Sequence, residues 1–96
     1  MKIAWTEPAR QDLRQVFIYI AKDSPKAAAK VLSLIKERTI LLQDNPNLGR
    51  MGRVGGTREL VIPGTPYILP YRVKADQIQI LAVFHGARKW PDNFQN

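Results

Sequence analysis

The sequence predicts an α+β fold in the order β-α-α-β-β-β, a helical hairpin packed on one face of a small, mostly antiparallel sheet. Three observations carry that expectation. Apolar residues recur at helical spacing from Ala9 to Leu42, whereas beyond Arg58 the period falls to 2. Two cap-and-proline signals, Thr6 with Pro8 and Ser24 with Pro25, divide the helical part into two segments. A glycine-laced loop and short turns then separate three strand-like stretches.

Residues 2–5 read as a short first strand with Ile3 and Trp5 on one face. Thr6 caps the first helix, whose stripe is Ala9, Leu13, Val16, Phe17 and Ile20, with Arg10, Asp12 and Arg14 on the wet side. This helix stops near Lys22-Asp23. The second runs over residues 25–42 on Ala28, Val31, Leu32, Ile35 and Leu42, and ends at Asn45-Pro46 because the residue before proline is pushed out of the helical region. The loop of residues 47–56 leads to a strand at 58–62, a Pro63-Gly64-Thr65-Pro66 turn, and a second strand on which Tyr67, Leu69, Tyr71 and Val73 alternate. Ala75-Asp76 makes a two-residue turn without the usual Asn-Gly chemistry. The last strand places Ile78, Ile80, Ala82 and Phe84 on one face and His85 on the other. Pro70 removes a ladder donor, so either its side of the strand faces outwards or the sheet bulges there.

The 96 residues suit one domain, 1–96, with a helical hairpin at about 7–44, a basic loop at about 47–57, a sheet at about 58–85 and a tail at 86–96. Fifteen Lys and Arg against eight Asp and Glu give a formal charge of +7, which points to nucleic acid or an acidic protein as partner. No cysteine is present and one histidine cannot make a zinc site, so no metal and no cofactor are expected. The first residues lack the apolar core of a signal peptide, and no run approaches the roughly 20 apolar residues that span a bilayer. A cytoplasmic protein without a membrane partner is expected.

Arg50, Arg53 and Arg58 lie on a loop whose glycines let backbone approach a partner closely, and they suit phosphates or the carboxylates of an acidic peptide. His85 ends the last strand and is expected beside Arg72 and Arg88, where it suits proton transfer, or else a structural bond to a carbonyl. Trp90 is expected to pack the tail back onto the sheet edge. The sheet face away from the helices is expected to be free.

Several segments together resemble the RelE/ParE superfamily of bacterial toxins. They are Asp12-Leu13, Tyr19-Ile20-Ala21, Pro25-Lys26-Ala27-Ala28, Asn45-Pro46, Arg53-Val54-x-Gly56-x-Arg58-Glu59, Tyr67-Ile68-Leu69-x-Tyr71-Arg72-Val73 and His85-x-x-Arg88, and they span nearly the whole chain. The resemblance implies the toxin of a type II toxin–antitoxin module, of the kind that stabilises plasmids. Its partner would be an acidic antitoxin encoded by an adjacent gene, whose C-terminal segment wraps the toxin in a hetero-oligomer.

Two branches differ in target. RelE-like members are ribosome-dependent mRNA endonucleases, whereas ParE-like members poison DNA gyrase. The nucleases resembled here carry basic residues on the strand before the central hairpin, an arginine just after a strand tyrosine, and often a late tyrosine. This chain has Glu59-Leu60-Val61-Ile62, then Ile68 after Tyr67, then Trp90 and Phe94. The closer resemblance is therefore to the ParE-like branch, with Arg50, Arg53, Arg58, Arg72, His85, Arg88, Lys89 and Trp90 as residues that would meet gyrase or antitoxin and no chemistry of its own. The alternative, an endonuclease acting on mRNA in the ribosome, would draw its catalytic set from Glu59, Arg72, His85 and Arg88.

Overall fold

The computed structural model describes residues 1–87, 90 and 94. Strand β1 is Lys2–Trp5. The Thr6 hydroxyl then accepts from the Ala9 N–H at 3.3 Å and donates to the Ile80 carbonyl at 2.8 Å. One side chain thus satisfies an orphan helix donor and ties the helix start to the far end of the chain. Helix α1 runs Glu7–Ala21 and α2 runs Pro25–Ile40, with Ser24 accepting from Ala27 N–H at 3.1 Å as its cap. A 3-10 turn, Leu41–Gln43, closes the hairpin before Asn45-Pro46.

The remaining elements are β2 (Arg50–Met51), β3 (Arg58–Val61), β4 (Tyr67–Lys74), β5 (Gln77–Ile80) and β6 (Phe84–His85). Among the described residues these strands make one sheet, ordered β1-β5-β4-β3-β2, with β6 also pairing β4. β1 lies parallel to β5, reached through the helical crossover, and the other pairs are antiparallel. Two helices on a mixed sheet confirm the expected α+β architecture; the short β2, inside what read as loop, adds to it.

Ile35 and Leu42 from the helices meet Leu60, Leu69, Tyr71, Ile78 and Ile80 from one sheet face, all fully buried. Leu13, Val16 and Ile20 pack on this core only in part, and Phe17, expected in the stripe, is 37% exposed.

Pro70 decides the shape of the last strand. Its carbonyl accepts from Leu81 N–H at 2.9 Å, so the side on which its own N–H is missing faces β5 and β6. There the register slips. Tyr71 opposes Ile80 and Ile68 opposes Phe84, so Leu69-Pro70 on β4 face three residues, Leu81, Ala82 and Val83. This is a β-bulge, and one extra residue reverses the alternation beyond it. Phe84 pairs with Ile68 on the face away from the helices, and His85 pairs with Tyr67 on the helix face. The unbroken strand expected from 78 to 84 is therefore two strands.

The face away from the helices is not free. Phe84 meets Trp90 edge-on, with ring centroids 4.8 Å apart, and stacks with Phe94 at 5.9 Å. Arg53 lies 3.7 Å over the Trp90 ring. Beneath them Glu59, Ile68 and Pro70 are buried.

The β4–β5 turn holds Ala75 at φ 52° and Asp76 at φ 61°, the left-handed pair that a type I′ hairpin needs. Alanine is strained there and aspartate fits less well than glycine, so replacing Ala75-Asp76 with Asn-Gly is expected to stabilise the fold by about 1 kcal/mol. Thermal unfolding checks this as a rise in Tm.

Candidate functional site

The basic loop is built outwards from Tyr71. Its buried hydroxyl donates to the Pro46 carbonyl and accepts from Gly49 N–H, both at 2.8 Å. Gly49 sits so close that a Cβ there would lie 2.6 Å from the Tyr71 ring. Arg58 donates to the Gly49 carbonyl at 2.8 Å, and Gly52 N–H donates to the Thr57 carbonyl at 2.8 Å. The Thr57 hydroxyl closes the loop on the Val54 carbonyl at 2.6 Å. The loop is thereby stapled to the sheet, and Arg58 serves its backbone. Burial pushes the Tyr71 phenol above its ordinary value, against the pull of Gly49 N–H and the Arg58 charge.

Glu59 organises the other two arginines. Its side chain is 3% exposed and receives Arg50 Nη2 at 3.0 Å and Arg53 Nε at 3.1 Å. The Arg53 backbone N–H adds a further donor at 2.8 Å. Burial alone would raise its pKa, but the Arg53 N–H and the two guanidiniums together hold it below the ordinary value. The carboxylate stays charged, and one negative charge is matched by two positive ones. The arginines remain about half exposed, at 54% and 44%, so a fixed positive surface faces outwards.

On the opposite face a cleft of about 670 Å³ opens between α1 and the β4–β6 end of the sheet, lined among others by Asp12, Val16, Tyr19, Tyr67, Val83 and His85. The bulge leaves Val83 N–H out of the ladder, and Asp12 Oδ2 accepts it at 3.0 Å. His85 Nδ1 accepts from Ala87 N–H at 3.2 Å, which puts the ring proton of the neutral form on Nε2. Its ring stands edge-on to Tyr67 with centroids 6.0 Å apart. Burial raises the Asp12 carboxyl above its ordinary value, opposed by the Val83 N–H.

The sequence placed Asp12 on the wet side of α1, and its role at the bulge was missed. The available signal was a carboxylate beside an apolar stripe in a chain whose Pro70 demands a bulge. His85 was expected beside Arg72; instead Arg72 bonds Gln79 at 2.8 Å on the other face of the sheet. Glu59 shares that face with Arg72 but is occupied by Arg50 and Arg53. Of the candidate catalytic set, Glu59 and Arg72 thus share one face and His85 lies on the other, while Arg50 and Arg53 converge on Glu59 and Arg53 lies over Trp90. Arg88 and Lys89 lie outside the described residues. Among those described, no helix is long and apolar enough to cross a membrane.

Comparison with known proteins gives one consistent result. Residues 3–90 match the family model for the ParE toxin of the type II toxin–antitoxin system, parDE. Y4kP of Sinorhizobium fredii, named as a toxin, is 43% identical over 90 residues, covering 94% of this chain and 93% of its own. Toxin RelE1 of Caulobacter vibrioides is 28% identical over 81 residues, covering 81% of this chain and 85% of its own. A solved chain from the chromosomal ParDE TA system of P. aeruginosa superposes with a TM-score of 0.79 at 34% identity, covering 88% of this chain and 95% of that one.

Two variants test the stapled loop. Tyr71→Phe leaves the Gly49 N–H and Pro46 carbonyl without a partner and is expected to lower stability by about 1–3 kcal/mol. Hydrogen exchange at Gly49 should accelerate with it. Glu59→Gln should cost about 2 kcal/mol at neutral pH, read by chemical denaturation. Because the folded pKa is depressed, that stabilisation is full above the unfolded pKa and disappears as pH falls through the folded one. The difference from wild type should therefore shrink in acid.

Proposed function

We propose a target for a chain that belongs to the ParE toxins of type II toxin–antitoxin systems: it inhibits growth by binding and poisoning DNA gyrase. The observation that carries this reading is the fate of the groups suited to proton transfer. Glu59 is held as a charged carboxylate under two arginines, and His85 lies on the opposite face from Arg72. An acid–base mechanism needs such groups around one reacting atom. What the chain offers instead is a rigid basic surface at Arg50 and Arg53, edged by Trp90. A surface already fixed by Glu59 and the Tyr71 staple loses little freedom on meeting an acidic partner.

The same charge suits an acidic antitoxin from an adjacent gene, which would neutralise the toxin in a hetero-oligomer. That a chain from a ParDE toxin–antitoxin system superposes over most of this one supports that partner. The setting for both is the cytoplasm.

The purified protein is expected to inhibit supercoiling by gyrase and to accumulate cleaved DNA while leaving cell-free translation intact. Normal supercoiling together with cut mRNA would sink the gyrase reading and replace it with the ribosome-dependent endonuclease.

A further inference from the structure

Among the described residues, a chain with a net charge of +7 lines its cleft with an acid and no lysine or arginine. Asp12 forms no ion pair among the described residues, and its recorded hydrogen bond is from the Val83 backbone. An ionised carboxylate has about four lone-pair positions for hydrogen bonds, so one backbone N–H leaves most of its accepting capacity unused. Tyr19, which is 66% exposed, stands at the rim, with Tyr67 and the His85 ring on the far wall and Val16 and Val83 between. We propose that this cleft receives one arginine side chain of the antitoxin, its guanidinium on Asp12 and its methylene stem along the apolar wall.

Arginine fits better than lysine on three counts. Its planar group gives forked hydrogen bonds to a carboxylate, stacks on aromatic faces, and gives up its hydration more easily. The chain's overall positive field weakens the binding of an isolated cation without abolishing it, so the natural ligand is a cationic side chain carried on an otherwise acidic segment. Acid brings the segment to the toxin, and the arginine sets its register on it. This proposal rests on the reading that an antitoxin neutralises the chain, but it is independent of which target the toxin poisons.

The first test titrates N-acetyl-arginine amide into the isotopically labelled full chain and follows the backbone amides of Val83 and His85 by NMR. Saturable shifts are expected, with binding at least roughly tenfold weaker in Asp12→Asn, as loss of a charge-assisted hydrogen bond implies. Asparagine keeps an oxygen for the Val83 N–H, so the bulge is retained. The neutral isostere N-acetyl-citrulline amide serves as a control on the wild-type chain and should give no saturable shift. Equal binding of the citrulline analogue, unchanged binding in Asp12→Asn, or no response at all would each overturn the proposal.

A second test identifies the source. The antitoxin from the neighbouring reading frame is assayed with its arginines changed singly to glutamine. One change should weaken binding to the wild-type toxin yet make no further difference against Asp12→Asn. If no arginine behaves so, the antitoxin is not the occupant. Neither experiment involves gyrase, so failure here leaves the gyrase assay to stand or fall separately.

Discussion

In the middle of the central strand, Pro70 has no hydrogen to give its neighbour, and much of the molecule's surface follows from that. A ladder that continued in register would leave carbonyls opposite a proline ring, so the partner strand takes an extra residue at 81–83. The extra residue reverses which side chains point where. Phe84 goes to the face away from the helices and becomes the seat for Trp90 and Phe94. His85 goes to the helix face and enters the cleft. The N–H left over at Val83 is taken by Asp12, which couples α1 to the bulge. Proline in a central strand is usually confined to such irregularities, and here the irregularity divides the two functional faces.

That division separates residues that lie close in sequence pattern. Arg72 lies within β4 and His85 ends β6, and period-2 counting without a bulge places them on one face of the sheet. With the bulge they are on opposite sides of a buried sheet. On one side the chemistry is cationic and rigid, with two guanidiniums over a single carboxylate and an indole. On the other it is a cleft with one acid and an imidazole. A single reacting atom cannot touch both. The fold therefore presents two separate surfaces, which suits the proposed binding of both a target and an antitoxin.

The element order was legible in the sequence because local signals were strong. Thr6 and Ser24 are caps with proline in the first turn, and the apolar period changes cleanly near Arg58. The long-range consequences were less legible. The parallel pairing of β1 with β5 depends on a crossover that leaves no local mark. The glycines of the 47–57 loop read as room for a partner's close approach, yet Gly49 and Gly52 are there to let Tyr71 and Thr57 come close. The sequence raised the possibility of a bulge at Pro70, but only pairing shows on which side the missing donor lies and hence where His85 points. Asp12 was legible only in hindsight, since its partner is a backbone N–H 71 positions away.

Two carboxylates, Glu59 buried and Asp12 partly buried, show how the same basic chain can treat negative charge in opposite ways. Glu59 is more buried by its surroundings, yet two arginines and a backbone N–H make the charged form the favoured one. Its charge is consumed within the loop, and what reaches solvent is the surplus of its partners. Asp12 loses water to the cleft walls and receives one backbone N–H in return, so its charged form is disfavoured. If structure alone were at stake, an asparagine would supply the same acceptor to Val83 without the desolvation of a charge. A carboxylate left under-compensated in a protein rich in arginine and lysine is thus explained less by the bulge it caps than by a cation arriving from outside.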